Sequence, residues 1–189
     1  MIILEDKIII HIPKTGGTSR MSHYGVNKYL NINSNYIGAK YYDDGNPPLN
    51  SAHTPYSLIP KQYKHLPTHT YVRNPWDRTV SRYYYCKKYY GVDISFSEFV
   101  ETKYINQIWK TYEWGPPSWK QQIEWMGDNT TWEKLENSSF SYHLLSSKIK
   151  DYRRDYNNRL IDIVGDYYAE DIEKFNYCPS GEKDDYDCR

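Results

Sequence analysis

The sequence has no long hydrophobic run and no net charge. None of its apolar stretches reaches the roughly 18 residues of a membrane-spanning helix. Its 24 Lys and Arg balance its 24 Asp and Glu, so the overall basic character of nucleic-acid-binding proteins is missing. The amino terminus carries acids where a signal peptide would carry bases. We therefore expect neither a nucleic-acid partner nor a membrane span, and a location in the cytoplasm, of the host cell if the source is viral.

Cysteine is also scarce, with three residues at positions 86, 178 and 188. Cys178 and Cys188 flank a polar tail and could pair in an oxidising compartment, but without an export signal reduced thiols are the better prediction. The Cys and His spacings fit no zinc pattern, so we expect no metal.

Tyrosine, in contrast, is abundant, with 22 residues among 189. Tyr and Trp carry apolar area behind a polar tip, so a chain with a strongly negative mean hydropathy can still form a core. The length suits one domain. We predict a single compact domain over residues 1–179, followed by a loose polar tail over 180–189.

Strand and helix patterns alternate along the chain. The alternation predicts an α/β fold with a P-loop-like parallel sheet flanked by helices. We expect strands near 7–12, 36–40, 49–53 and 69–73, and helices near 17–30, 57–61, 75–90, 95–103, 118–126 and 158–175.

The most informative segment, residues 8–19, reads I-I-I-H-I-P-K-T-G-G-T-S. A β-branched strand ends at Pro13, and Gly16 and Gly17 then allow the backbone to approach a ligand closely. The following helix N-terminus offers exposed N–H groups to an anion. Lys14 adds a full charge. Further hydroxyl donors are supplied by Thr15, Thr18 and Ser19.

The order of residues in this loop separates it from the common nucleotide loop. A Walker A loop has its Lys after the glycines, whereas Lys14 precedes them. P-K-T-G-G-T-S resembles the 5′-phosphosulfate loop of sulfotransferases that use 3′-phosphoadenosine-5′-phosphosulfate (PAPS). A plain strand-to-helix turn is the alternative interpretation.

A second motif, Y-V-R-N-P-W-D-R-T-V-S-R-Y-Y, spans residues 71–84. It resembles the 3′-phosphate motif of the same enzymes, which implies that Arg73 and Ser81 bind the nucleotide's 3′-phosphate. Ser81 follows about two helical turns after Arg73. Arg73 could instead pair with Asp77 on the surface. We expect Trp76 in the core, and Arg78 and Arg82 either solvated or facing the phosphates.

Two later segments extend the resemblance. L-I-D-I-V-G-D-Y-Y-A-E-D-I-E-K-F-N-Y resembles the closing helix of small bacterial and phage-type sulfotransferases, with its pattern Y-x-x-D-[FI]-E-x-F-G-Y. P-P-S-W-K-Q-Q-I-E-W resembles the aromatic stretch before it. Two features depart from the family: residues 127–150 look shortened, and the adenine-side Gly-rich loop is not visible.

The resemblance implies transfer of a sulfuryl group from PAPS to an acceptor hydroxyl, such as that of a glycan. Such chemistry needs charge stabilisation on the leaving phosphate, which Lys14 would supply, and a general base. Related enzymes acting on glycans often carry a His between the two phosphate motifs, and His53 has that position. His11 and His69 are expected as strand residues, and Glu113 and Glu124 stay open as bases. Aromatic residues that could stack on an acceptor or form the core are Tyr112, Trp114, Trp119 and Trp125.

Two other function classes stay open. A P-loop kinase or NTPase would need a Walker B carboxylate at the end of an apolar strand, and none is clear in the sequence. A nucleotide- or glycan-binding module could keep the fold without catalysis.

Overall fold

The computed structural model describes residues 2–17, 39–41, 49–51, 53, 55–59, 61–105, 119–138 and 151–182. Contacts divide the chain into two units, Met1–Val72 with Gly115–Leu145 and Arg73–Trp114 with Ser146–Arg189. The predicted single domain over 1–179 stays a prediction. The predicted tail begins at a turn and a short strand, and its residues 183–189 lie outside the described ranges.

The first unit contains a four-stranded sheet in the order β1 (Ile2–Ile3), β2 (Ile8–Ile10), β5 (Thr68–Val72) and β6 (Thr131–Lys134). β2, β5 and β6 run parallel, and β1 pairs antiparallel with β2 at one edge. The predicted α/β class with a parallel sheet is therefore confirmed. All three residues of β2 are buried, as a β-branched run in a parallel strand requires.

Two predicted strands form a separate antiparallel pair in this unit, β3 (Ala39–Tyr41) and β4 (Leu49–Ser51). β6 was not predicted, because its residues T-W-E-K are exposed or half-buried and include two charges. The predicted helix over 17–30 lies outside the described residues except at Gly17.

Short 3-10 turns replace two predicted helices. Where a helix was predicted near 57–61, the chain forms a 3-10 turn over Tyr56–Leu58 that begins after Pro55. Gln122–Trp125 carries a capping box between Gln121 and Glu124.

The second unit contains α1 (Pro75–Tyr90), whose observed bounds match the predicted ones. The Asn74 side chain accepts hydrogen bonds from the backbone N–H groups of Trp76 and Asp77, and Gly91 ends the helix in the left-handed conformation with φ 66°. α2 (Phe96–Val100) continues as a π-helical turn over Glu101–Ile105.

The predicted closing helix is two helices, α3 (Asn158–Tyr167) and α4 (Ala169–Phe175). They meet at Tyr168, which leaves the helical conformation and is 2% exposed. A hairpin of β7 (Tyr177–Cys178) and β8 (Gly181–Glu182) follows. In the described ranges, no helix combines the length and the apolar character that crossing a membrane demands.

Candidate functional site

The loop that follows β2 has an alternating backbone conformation. Lys14 has φ 67° and Gly16 has φ 79°, whereas Thr15 between them does not have a positive φ. Alternation of this kind turns successive backbone N–H groups toward one concave side, which is an anion-binding geometry called a nest. A left-handed conformation costs a lysine about 1–2 kcal/mol, and such strain clusters at functional sites.

Side-chain hydrogen bonding stabilises the start of this loop. The Thr15 hydroxyl donates to the carbonyl oxygen of Ile12 over 2.9 Å, and Thr15 is fully buried. The hydroxyl proton of Thr15 is thus used to hold the turn, and its predicted contact with a ligand stays a prediction. Lys14 is half-buried. Thr18 and Ser19 lie outside the described residues.

Gly17 is held against the imidazole ring of His11. A Cβ atom at position 17 would overlap His11 Nε2 and both neighbouring ring carbons. Gly17 has no positive φ, so the ring and not the backbone conformation requires glycine there. His11 is 8% exposed and lies after β2, not within the strand as predicted.

His53 contacts the same histidine. Its Nδ1 lies 2.9 Å from the carbonyl oxygen of His11, and the two imidazole centroids are 4.2 Å apart. Because a carbonyl oxygen only accepts, Nδ1 carries the proton, and in the neutral ring Nε2 is then the acceptor. A general base needs an unprotonated nitrogen, which this tautomer provides at Nε2. The structure therefore brings together Gly17 and His53, two residues that the sequence assigned separately, through His11, whose part in the site the sequence did not indicate.

The indole ring of Trp125 lies edge-on to His53 with centroids 6.4 Å apart. Trp125 and Trp119 are 2% and 1% exposed, so the core interpretation fits both better than a stacking surface. Tyr112 and Trp114 lie outside the described residues.

The other described candidates for a base have different surroundings. His69 lies within β5, its Nδ1 is hydrogen-bonded to the Thr131 hydroxyl over 2.9 Å, and it lines a separate cavity of about 350 Å³ with Tyr71. Glu124 is exposed, caps the turn after Gln121 and pairs with Lys120. Glu113 lies outside the described residues.

Arg73 forms a two-point ion pair with Asp77. Its Nε and Nη2 donate to the carboxylate over 2.7 and 2.9 Å, and its side chain is 17% exposed. This pair corresponds to the alternative interpretation of Arg73 as a partner of Asp77. Ser81 is half-buried and lies one helical turn after Asp77 on α1.

Of the two alternatives for Arg78 and Arg82, solvation is wrong, and an orientation toward the nucleotide phosphates stays a prediction. They are 2% and 8% exposed, and their guanidinium carbons lie 5.6 Å from the ring centroids of Tyr168 and Tyr85. Planar guanidinium groups stack on aromatic faces, so α1 can bury these cations among tyrosines. Trp76 is 3% exposed, as predicted for a core residue.

The closing motif Y-x-x-D-I-E-x-F-N-Y has a structural role in the second unit. Tyr168, Asp171, Phe175 and Tyr177 are each at most 2% exposed. Asn176, at the position where the family pattern has Gly, is left-handed with φ 52° and ends α4.

A hydrogen-bonded chain of buried hydroxyls joins this motif to α1. The hydroxyl oxygen of Tyr104 lies 2.8 Å from that of Thr79 and 3.2 Å from that of Tyr168. Burial raises the pKa of Tyr104 and of Tyr168 well above the ordinary value of a phenol. These hydroxyl groups therefore belong to the core, and both tyrosines stay protonated at neutral pH.

Within the described residues, no group of three or more His, Cys, Asp or Glu side chains forms a metal-binding cluster. A scan against protein-family models, a search of curated proteins and a search of solved structures each found no match to this chain.

Proposed function

We propose that this protein is a sulfotransferase that moves a sulfuryl group from PAPS to an acceptor hydroxyl, such as that of a glycan. The observation that carries the proposal is the joint arrangement of the loop and His53. A nest-shaped loop with a lysine suits a phosphosulfate, and a histidine with an acceptor Nε2 suits a hydroxyl. The resemblance of the two sequence motifs supports the choice of PAPS.

In the proposed reaction, His53 Nε2 accepts the proton of the acceptor hydroxyl. The hydroxyl oxygen forms a bond to sulfur as the bond from sulfur to the 5′-phosphate oxygen breaks. Lys14 and the backbone N–H groups of the loop stabilise the charge that builds up on that phosphate oxygen, and 3′,5′-ADP leaves. The proposed transfer does not require a metal ion.

Arg73 and Ser81 are proposed to bind the 3′-phosphate. Arg73 follows β5 directly in the chain, and in parallel sheets the carboxyl ends of strands are where ligands bind. Asp77 would orient the guanidinium through the two hydrogen bonds described above.

Thermal unfolding with nucleotides tests the proposal. A ligand that binds only the folded state at 100 times its Kd stabilises it by about 2.7 kcal/mol. We expect 3′,5′-ADP to raise the Tm without metal, and 5′-AMP, which lacks the 3′-phosphate, to raise it much less. A larger shift with ATP and magnesium would contradict the proposal and favour a kinase or NTPase.

Turnover separates an enzyme from a binding module on the same fold. Labelled PAPS should transfer label to an acceptor in a panel of glycans, phenols and small alcohols. Binding of 3′,5′-ADP with no transfer across this panel would favour the module.

A further inference from the structure

His11 makes three contacts that involve both His53 and Gly17. Its backbone carbonyl accepts a hydrogen bond from His53 Nδ1–H. Its ring packs on the His53 ring at an interplanar angle of 50°, and the same ring fills the space beside Gly17. His11 is almost fully buried, so its ring has little room to move.

The contact with Gly17 ties the His11 ring to the anion loop. Gly91 offers a comparison: its φ is 66° and nothing lies within 4 Å of a Cβ added there, so only its backbone conformation favours glycine. Gly17 has no positive φ, and it is the His11 ring that leaves no space for a larger residue there. A shift of the loop backbone at Gly17 toward His11 must therefore move the ring or clash with it.

We propose that His11 is a positioning residue that couples the anion loop to His53. An anion bound by the loop holds the backbone at Gly17, which holds the His11 ring, and the ring and carbonyl of His11 hold the His53 imidazole. The inference rests on the proposed function for the role of His53 as the base. Because coupling between two sites is reciprocal, ordering of His53 also favours anion binding. Binding of the sulfuryl donor PAPS would thus orient the His53 imidazole before an acceptor reacts.

Nitrogen-15 NMR of the imidazole side chains tests the coupling without an acceptor. The protonated and unprotonated nitrogens of a neutral imidazole have well-separated shifts, so the spectrum reports the His53 tautomer. We expect the Nδ1–H tautomer in the unliganded protein and a change in the His53 signals on titration with 3′,5′-ADP. His11→Asn, which removes the aromatic ring but keeps a planar polar side chain, should lose at least half of this change. The spectra are compared at saturating 3′,5′-ADP, so that the weaker binding by the variant that reciprocal coupling implies does not account for the lost response.

The exposed His65 supplies the control, because His65→Ala should leave the His53 response intact. A His11→Asn variant that is less stable but keeps the full His53 response would overturn the inference and leave His11 a packing residue. If 3′,5′-ADP does not bind the wild-type protein but pyrophosphate still moves the His53 signals, the coupling stands and the proposed function fails. If neither anion moves these signals, the coupling fails.

A double-mutant cycle provides a second test that does not depend on a ligand. Gly17→Ala should lower the Tm, and His11→Asn in the Gly17→Ala background should recover part of the loss. Additive losses would contradict the direct contact between the two side-chain positions.

Discussion

The Nδ1 atom of His53 lies 2.9 Å from the carbonyl oxygen of His11, a residue 42 positions earlier in the chain. The bond selects one neutral tautomer of His53 because the carbonyl cannot donate. The same His11 carries the ring that requires glycine at position 17. One residue therefore links a candidate base to a candidate anion loop.

His53→Ala should reduce turnover by about a hundredfold or more, the usual contribution of a general base. Affinity for 3′,5′-ADP should change little, and the pH–rate profile should lose its acidic limb. His69→Ala is a matched control, since His69 Nδ1 is also hydrogen-bonded to an oxygen in the same unit over 2.9 Å. Equal losses in both variants would remove the base assignment.

Replacing Lys14 should lower kcat more than it raises KM for PAPS, because its contact strengthens as charge develops on the leaving phosphate. Lys14→Gly and Lys14→Ala both remove the ammonium group. Lys14→Gly also relieves the left-handed strain, so it should be about 1 kcal/mol more stable than Lys14→Ala in urea unfolding. An unchanged kcat in both variants would reduce Lys14 to a binding residue.

Arg73→Ala should weaken 3′,5′-ADP binding at least tenfold by calorimetry, and Arg73→Lys should restore little, because lysine lacks the planar fork. Arg153→Ala is the control: Arg153 also donates from Nε and Nη2 to an aspartate, Asp151, but is 60% exposed. Unaltered binding in Arg73→Ala would contradict the proposed contact of Arg73 with the 3′-phosphate.

Substitutions at Asn176 should follow the demands of its left-handed conformation. Asn176→Ala should cost about 1 kcal/mol in urea unfolding, whereas Asn176→Gly should be as stable as the wild type or slightly more stable. The reverse ranking would show that contacts of the Asn176 side chain, not its backbone, decide the residue.

Stability should fall as the pH rises above about 10, the ordinary pKa of tyrosine. The folded state keeps the buried Tyr104 and Tyr168 protonated because their pKa values are raised, while the unfolded chain releases these protons. The unfolded state then binds fewer protons, so the free energy of unfolding decreases by up to about 1.4 kcal/mol per pH unit for each group. When the free energy of unfolding is measured with urea at several pH values between 8 and 11, it should fall less steeply with pH for Tyr104→Phe than for the wild type. The exposed Tyr89→Phe should keep the wild-type slope, and equal slopes in all three proteins would contradict the prediction.

Local signals predicted part of the fold with accurate bounds. Asn74 and Pro75 start α1 and Gly91 ends it, because caps, proline and a left-handed glycine act within one turn of the chain. The buried isoleucines of β2 were equally clear, since a β-branched run depends on few neighbours. The sequence did not predict the break at Tyr168, because no helix-breaking residue marks this position. Tyr168 is non-helical and buried in the structure.

The sequence by itself determined the order and chemistry of the candidate motifs: a lysine before two glycines, an arginine after a strand, and a histidine between them. Only the tertiary structure decided the tautomer of His53, the steric reason for Gly17 and the burial of Arg78 and Arg82. Each of these depends on contacts between residues far apart in the chain, and a local pattern carries no information on which distant atoms fill the space around a side chain.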